Sequence, residues 1–478
     1  MNRQQFNSRN DIGKILTFQK SGSTNSFDPT ITFVSGSRRV SWRLNNGSEI
    51  KQIAGNNIVY TGFTSDTNIR TIEMRGNNFK NINTFNLNND NLYGNLDVSG
   101  LPDLGYTFQV YSNDNLTGIT HSTSTTNMTI YQAYSCDLTG NLDLTPLNLG
   151  GDFRVYDNPK LTGITHSSSS IIFGAYQANN CNLRGNLNLS MLSKLGGNFA
   201  LQSNPNLTGI THTYSPTIFT NYNVSSCNIT GLHNLTMFPN LGGSLQFNNN
   251  SNLTGITHTA STENITFYLA QNSNLTGNHN LSWFPNLGGV VAITNNSNLT
   301  SITHTASTKN FIQYNLHQCD LTGTHDLSMF SNFGGDSTGS TCYVTLYINP
   351  NLTDITFPTT NGYFKNFVNT ESQGALGLYS CNLNYVNFKP LSGVTFLTGT
   401  TQGNPRISLR DNGMSATDVN HILVDFSGNT TTNPTGWSNI NLNIGGSNAN
   451  PDSSSGGYDG LAAISFLTGS PYNWTITY

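Results

Sequence analysis

Histidine is the residue whose recurrence first suggests chemistry in this 478-residue chain. Five of its ten histidines end the same phrase, Leu-Thr-Gly/Ser-Ile-Thr-His, at intervals of 45 or 46 residues. They are His121, His166, His212, His258 and His304. Imidazole nitrogens bind zinc and exchange protons near neutral pH. A metal site or a proton-linked response is therefore the chemistry to consider.

Cysteine is the second recurring reactive residue. Five of the six cysteines return at regular positions, and Cys342 stands apart from them. The five are Cys136, Cys181, Cys227, Cys319 and Cys381. Such thiols could form disulfides or fill space in a core, and the fold decides between these roles.

Carboxylates are sparse, although glycoside hydrolysis requires a pair of them about 5–9.5 Å apart. Asp97, Asp143 and Asp326 occur singly in the repeats, and Glu263 and Glu371 are isolated. The chain has no nucleophile elbow, phosphate-binding loop or Cys-x-x-Cys pattern. We therefore expect a protein that is not an enzyme and that uses no cofactor.

The elements that position these residues are units of about 23 residues. Apolar residues precede each anchor residue by five and three positions, as Tyr131 and Ala133 precede Cys136, which is typical of a short strand with one buried face. A fixed period of this kind indicates a β-solenoid whose stacked coils share one core. The anchors are Asp90, Asn113, Cys136, Asn158, Cys181, Asn204, Cys227, Asn250, Ser273, Asn296, Cys319, Asn349 and Cys381.

The stretch Tyr131-x-Ala133-x-x-Cys136-x-Leu138 resembles the leucine-rich repeat, whose coils read Leu-x-Leu-x-x-Asn/Cys-x-Leu. The resemblance covers about residues 77–410 and is closest to irregular bacterial and phage repeats of that family. It implies parallel strands on one side and an inward anchor that satisfies backbone groups of the loop. Return segments rich in Gly, Asn, Ser and Thr predict loops or short 3₁₀ structure, not helix, on the convex side.

The stacking of coils limits the contacts that the recurring histidines and the recurring cysteines can make with one another. Adjacent coils lie about 4.8 Å apart, and the residues of each set fall on alternate coils, about 9.6 Å apart. Neighbouring cysteines then exceed the roughly 7 Å limit between Cα atoms for a disulfide, so we predict buried free thiols. Histidines at this spacing cannot easily share a zinc ion, so we favour a structural ladder; a metal site and a pH response remain open. A second set, His233, His279 and His325, takes the position of Leu142 and Leu187.

We divide the chain into four regions: an N-terminal attachment segment at 1–28, a small β-rich module at 29–76, the solenoid at 77–410 and a C-terminal capping repeat at 411–478. The first is polar, lightly basic and without the apolar stretch of a signal peptide. The module resembles a trimmed PKD-type immunoglobulin-like domain, or else it caps the solenoid. Its predicted strands are 31–34, 40–44, 58–60 and 69–74.

The C-terminal region carries the signals of a terminal α/β cap. Ser415, followed three residues later by Asp418, predicts the start of a helix. Residues 440–444 and 474–478 predict strands, and residues 460–467 predict a second helix. The residues on the apolar face of the first helix are Val419, Ile422, Leu423 and Phe426.

Charge is scarce and unevenly distributed. Only 9% of the residues are charged, and eleven of the 20 lysines and arginines lie within residues 1–80. Phosphate binding requires clustered cations, so nucleic acid is not an expected partner of the solenoid. The basic N-terminal region either docks onto an acidic protein surface or is simply solvated. No segment approaches 18 apolar residues, so membrane insertion is not expected.

The outward face of the strands is the candidate binding surface. Amides offer paired donors and acceptors, and aromatic faces stack on sugar rings, so this face suits weak, multivalent contact with polysaccharide. A merely soluble sheet would have the same composition. The candidate residues are Gln109, Tyr111, Gln132, Tyr134, Tyr156, Gln177, Asn179, Asn223, Gln246, Gln271, Asn315 and Tyr347.

These features together predict a non-enzymatic virion surface protein, a fibre or spike. The helix-and-strand ending at 411–478 resembles the endings of repeat proteins of phages that infect Bacteroidetes. The concentration of basic residues in the N-terminal region predicts attachment to virion proteins through that region. The expected ligand is a host surface polysaccharide or another surface molecule, and assembly as a homo-oligomer is open. The alternatives are an adhesin of the bacterial cell surface and, less favoured, a polysaccharide depolymerase.

Overall fold

Two compact units, residues 1–228 and 229–478, make up the chain. In both, parallel strands recur in coils of about 23 residues, so the predicted β-solenoid is confirmed. Cys342 and the predicted strand at 58–60 lie outside the described residues. The computed structural model describes residues 15–20, 30–33, 38–44, 50–54, 70–76, 82–101, 104–309, 311–330, 343–357, 363–365, 376–385, 395–397, 406–432 and 438–478.

Each coil contributes one strand to a parallel main sheet, and the residues five and three positions before the anchor face the core. In the first unit Phe108, Tyr131 and Phe153 lie opposite one another and are fully buried. Their rings pack at centroid distances of 5.2 and 5.6 Å, which gives the sheet a continuous aromatic core. Its strands are Ile82–Asn86, Tyr106–Gln109, Asn127–Gln132, Asn148–Arg154, Phe173–Gln177, Leu195–Ala200 and Phe219–Asn223.

The second unit repeats this arrangement, with Leu245, Tyr268 and Val291 opposite one another in the core. Its main-sheet strands are Leu241–Gln246, Ile265–Leu269, Leu287–Ala292, Phe311–Asn315, Tyr343–Thr345, Leu376–Gly377, Arg406–Ser408, Asn441–Asn443 and Thr475–Thr477.

After each anchor from Asp90 to Asn349 the chain forms a second strand. These second strands pair two by two, and the first of them, Leu92–Asp97, also bonds to an N-terminal strand. A coil with a Cys, Ser or Asp anchor pairs with the Asn coil that follows it. This pairing is the structural basis of the 46-residue period. The pairs in the first unit are Leu92–Asp97 with Asn115–Thr120, Thr139–Leu144 with Lys160–His166, and Arg184–Asn188 with Asn206–Thr211. Those in the second are Gly231–Asn234 with Leu253–Thr257, Thr276–Asn280 with Asn298–Thr303, and Gly323–Asp326 with Leu352–Thr356. Tyr363–Lys365 and Thr395–Leu397 form a further parallel pair outside this scheme.

The anchors act as expected. Asn158 Nδ2 donates to the carbonyls of Ala133 (2.9 Å) and Val155 (2.8 Å), and its Oδ1 accepts from the Leu138 amide (3.1 Å). Cys181 Sγ makes weaker contacts of the same kind, 3.3 Å from the Val155 carbonyl and 3.5 Å from the Asn179 carbonyl. The residue before each anchor is left-handed, which Ser, Asn and Asp tolerate better than most. In the first unit these residues are Asn89, Ser112, Ser135, Asp157, Asn180, Ser203 and Ser226.

The anchor ladder continues past Cys381 into the C-terminal capping repeat, residues 411–478. Asn412 Nδ2 donates to the Leu378 and Leu409 carbonyls, at 2.9 and 2.8 Å. Asn448 likewise donates to Leu409 (3.0 Å) and Ile444 (2.7 Å). The C-terminal region therefore consists of further coils.

Helix Ala416–Thr432 follows the anchor Asn412 and precedes the next main-sheet strand, Asn441–Asn443. Ser415 Oγ accepts from the Asp418 amide (3.2 Å) and Asp418 accepts from the Ser415 amide, so the predicted helix start is confirmed. The predicted apolar face is buried. Asp459 caps the second helix, Gly460–Thr468, by accepting from the Ala462 amide.

In its described residues the N-terminal region contains five strands, one of which lies within residues 1–28. Ile15–Lys20 pairs antiparallel with Arg70–Gly76 and also with Leu92–Asp97 of the solenoid. A strand needs only backbone partners, and these two neighbours supply them. Thr30–Phe33 pairs antiparallel with Ile82–Asn86 and so covers one edge of the main sheet, as a cap does. The remaining strands are Arg38–Leu44 and Ile50–Ala54.

Candidate functional site

The predicted tyrosines of the first unit stack on one another. Ring centroids of Tyr111 and Tyr134 are 4.5 Å apart, and those of Tyr134 and Tyr156 are also 4.5 Å apart, with interplanar angles of 5° and 11°. We call these three residues the outer tyrosine stack. Partial burial, followed by the neighbouring Tyr156, raises the pKa of Tyr134 to about 12. Both faces of the middle ring are covered, so only ring edges and hydroxyl groups point outwards.

A similar stack occupies the same position in the second unit. Tyr347 lies between His317 and Tyr379, with centroids 4.4 Å from each. The Arg410 guanidinium covers Tyr379 at 4.4 Å from its centroid. Tyr347 is only 7% exposed, so its ring face is not available to a ligand.

Several predicted amides bond to neighbours on the same sheet. Gln109 Nε2 donates to Gln132 Oε1 (2.8 Å), and Gln132 Nε2 donates to Asp152 Oδ2 (2.7 Å). Gln132 and Asn315 are buried, and Asn315 accepts from the Thr345 hydroxyl. These two side chains, like Tyr347, are therefore not presented at the surface as the prediction required.

The other predicted residues remain partly exposed. Asn223 Oδ1 accepts from the Ser225 amide and hydroxyl, and Gln246 Nε2 donates to Ser244 Oγ. The Gln271 backbone amide donates to Asn248 Oδ1. Gln177 and Asn179 are half-buried. The strand face thus brings the predicted residues together in columns, and it uses much of their bonding capacity internally.

The histidine ladder is part of the core. His121 Nε2 lies 3.0 Å from the Tyr131 hydroxyl and His166 Nε2 lies 2.8 Å from that of Tyr176. Burial lowers the pKa of His121 to about 3 and that of His166 to about 4, so both are neutral at pH 7. Within the described residues no three His, Cys, Asp or Glu side chains come together as metal ligands.

In the second unit a buried tyrosine hydroxyl contacts two histidines in place of one. The Tyr268 hydroxyl lies between His258 Nε2 (2.9 Å) and His279 Nε2 (2.8 Å). Burial lowers the pKa of both histidines, to about 4 for His279. A neutral hydroxyl can donate to one imidazole and accept from the other, so the three groups form a hydrogen-bonded chain in the core.

The anchor cysteines are buried and free, as predicted. Burial raises the pKa of each thiol to about 12. The thiolate is the reactive form, so these side chains act as core donors at neutral pH.

Sequence reasoning missed a groove on the side of the coil that follows the anchors. In the first unit a groove of about 280 Å³ lies between Lys160–His166 and Arg184–Asn188, which belong to different two-stranded sheets. Its polar lining includes Asn141, Asn186 and Asn188.

An exposed apolar residue marks one end of this groove and recurs along the chain. Met191 lines the groove and is 48% exposed in the first unit. In the second unit Met237 is 38%, Trp283 43% and Met329 40% exposed. These four positions are spaced by 46 residues, a regularity that could have revealed the surface from the sequence.

Comparison with known proteins found no match, whether among family models, curated proteins or solved structures. Among the described residues no helix is both long and apolar enough to cross a membrane. The fold defines the class of protein: a parallel β-solenoid that is compatible with a leucine-rich-repeat-like arrangement.

Proposed function

We propose that this chain is a non-enzymatic surface protein of a phage virion, a fibre or spike, that holds host surface polysaccharide by many weak contacts. The observation that carries the proposal is a repeated pair of exposed neutral side chains. In the first unit the amide of Asn95 donates to Thr120 Oγ1 (3.0 Å). The same contact recurs from Asn141 to Thr165 (3.0 Å) and from Asn186 to Thr211 (2.8 Å).

Polysaccharides suit this surface because their hydroxyl groups are neutral donors and acceptors. Each Asn–Thr pair keeps unused donor and acceptor capacity and carries no charge that a neutral sugar would have to desolvate. A single such contact is weak, but a polymer that engages several in succession gains from effective concentration.

Carboxylates of the repeats bond to neighbouring protein groups, which supports a binding protein over a depolymerase. Asp143 Oδ1 accepts from the Thr145 amide (3.0 Å) and hydroxyl (2.7 Å), and these bonds lower the pKa of the carboxyl. Asp137 pairs with Lys160 at 2.8 Å. General acid catalysis requires a carboxyl whose pKa is raised, which is the opposite of the shift at Asp143.

Attachment to the particle is assigned to the N-terminal region, where basic residues concentrate. Two measurements test the whole proposal: immunogold labelling of intact particles, and sedimentation of the full-length chain with purified host capsule while reducing ends are assayed. We expect label on the virion, co-sedimentation and no release of reducing sugar. Label on the bacterial envelope alone would favour the adhesin, and rapid release of reducing ends would favour the depolymerase.

A further inference from the structure

We propose that the glycan-binding subsites are the grooves between second-side strand pairs, each with an exposed apolar residue at one end, and not the outer tyrosine stack. This inference rests on the proposed function and names its surface. The ligand is an unbranched, largely neutral polysaccharide that lays the apolar face of one sugar on Met191 or Trp283.

The grooves exist because neighbouring pairs of second strands are not joined into one sheet. Between Lys160–His166 and Arg184–Asn188 the chain is bonded at both ends, by the Asn182 amide to the Leu161 carbonyl (3.0 Å) and by the Ser169 amide to the Met191 carbonyl (2.9 Å). Between these two bonds the strands lie in different sheets. The result is a short concave site with closed ends, whose walls cannot collapse without remaking the coils.

The lining of this groove matches a sugar. Arg184 and Asn188 are exposed at its wall, and Asn186 lies beside them with its amide already oriented by Thr211. A guanidinium and fixed amides provide directional donors for ring hydroxyls. Small-molecule sites typically combine a concave shape, an apolar contact and a few placed polar groups, and Met191 supplies the apolar contact.

The second unit contains the same construction with a stronger apolar platform. Thr276–Asn280 belongs to a different sheet from Leu253–Thr257. The ends are again closed, by the Asn274 amide to Leu253 (3.2 Å) and the Ser261 amide to Trp283 (3.0 Å). Asn278 and Asn280 occur at the positions of Asn186 and Asn188. Trp283 replaces methionine, and indole is a preferred surface for stacking.

Availability of the ring face separates this surface from the outer tyrosine stack. Tyr134 has a tyrosine ring 4.5 Å away on each side, so a sugar would have to displace a neighbour to reach its face. Trp283 is 43% exposed and holds the sequence position that Met191 holds beside the first-unit groove. Within one unit, successive sites of this kind are two coils apart, about 9.6 Å, so an extended polymer can contact more than one.

The test measures binding of the full-length protein to an array of neutral and uronic-acid-containing oligosaccharides, from disaccharides to octasaccharides, and follows tryptophan fluorescence in solution. Trp283→Ala should lower affinity for the best array ligand by about 3–10-fold, the range of one aromatic contact. Trp283→Phe should retain most of it. Phe267→Ala is the matched control, because Phe267 is 45% exposed on the main sheet. Replacing the three residues of the outer tyrosine stack by Ala tests the competing surface.

Loss of affinity in Trp283→Ala, with binding kept by both controls, is the expected result. Loss in the tyrosine triple variant, with Trp283→Ala unchanged, would overturn the inference and return the site to the strand face, leaving the proposed function standing. If the wild-type protein binds no oligosaccharide on the array and no host capsule, both the inference and the proposed function fail.

Discussion

His166 and Tyr176 are ten residues apart in the chain, and one buried hydrogen bond of 2.8 Å joins their Nε2 and hydroxyl atoms. The tyrosine belongs to a Cys coil, and the ring opposite it in the preceding Asn coil is Phe153. The alternation of phenylalanine and tyrosine in this part of the core thus follows from the histidine that ends every second coil. The recurring Leu-Thr-Gly-Ile-Thr-His phrase supplies the histidine of this contact.

Acid should destabilise the protein through these histidines. His166, His233, His279 and His325 have pKa values lowered by burial from 6.5 to about 4. The unfolded chain binds protons below pH 6.5, whereas the folded chain does so only near pH 4. Stability is therefore full above pH 6.5 and falls between pH 6.5 and 4, by up to about 3 kcal/mol for each such histidine. Urea unfolding at a series of pH values measures this slope.

His279→Leu provides a matched variant, because Leu187 holds the equivalent position in the first unit. It removes one partner of Tyr268, which keeps His258. We expect a loss of about 1 kcal/mol at pH 8 and a shallower pH dependence, with the variant more stable than wild type near pH 4.5. Parallel curves for the two proteins would show that this histidine does not titrate as its burial predicts.

Replacing an Asn anchor should lower the free energy of unfolding more than replacing a Cys anchor. Asn158→Ala leaves the Leu138 amide and two carbonyls without their side-chain partner, and we expect a loss on the order of 3 kcal/mol. Cys181→Ser should be nearly neutral, because Ser273 already fills the same position with its hydroxyl 3.3 Å from the Phe247 carbonyl. Chemical denaturation compares them. Equal losses would mean that the anchors act by volume alone.

Replacement of Ile348 by asparagine should stabilise the protein. It is left-handed, with φ 57°, at a position that other coils fill with Ser, Asn, Asp or Gln. A β-branched residue in this conformation is strained by roughly 1–2 kcal/mol. Ile348→Asn should therefore raise the melting temperature, and the reverse substitution Asn295→Ile should lower it. A lower melting temperature for Ile348→Asn would show that the isoleucine side chain makes contacts that outweigh the strain.

Deletion of the N-terminal region should separate folding from attachment. Removing residues 1–28 eliminates strand Ile15–Lys20, which bonds to Arg70–Gly76 and Leu92–Asp97, so we expect a lower melting temperature. Removing residues 1–14 spares that strand and deletes three basic residues, Arg3, Arg9 and Lys14. We expect it to reduce incorporation into particles without loss of stability. Normal incorporation would move the attachment site elsewhere.

Local pattern was sufficient to predict the coils, because each anchor and its two buried neighbours lie within six residues. The same pattern, Ile407-Ser-Leu409-Arg-Asp-Asn412, marks a further coil that leads into the helix of the C-terminal capping repeat. Pairing between coils was not predictable. Neither the stacking of Tyr111 on Tyr134 nor the groove beside Met191 follows from spacing alone, because both depend on which strands bond across 23 residues or more.

Dependence of affinity on oligosaccharide length tests the central claim, repeated weak recognition, most directly. The full-length protein is titrated with oligosaccharides that contain one, two, three or more copies of the same sugar repeat. Affinity should rise with each added repeat even when the total concentration of repeats is held equal, because successive grooves are engaged together. Trp283→Ala should flatten that rise. Affinity that saturates at the shortest ligand, or that never exceeds background at any length, would contradict the account.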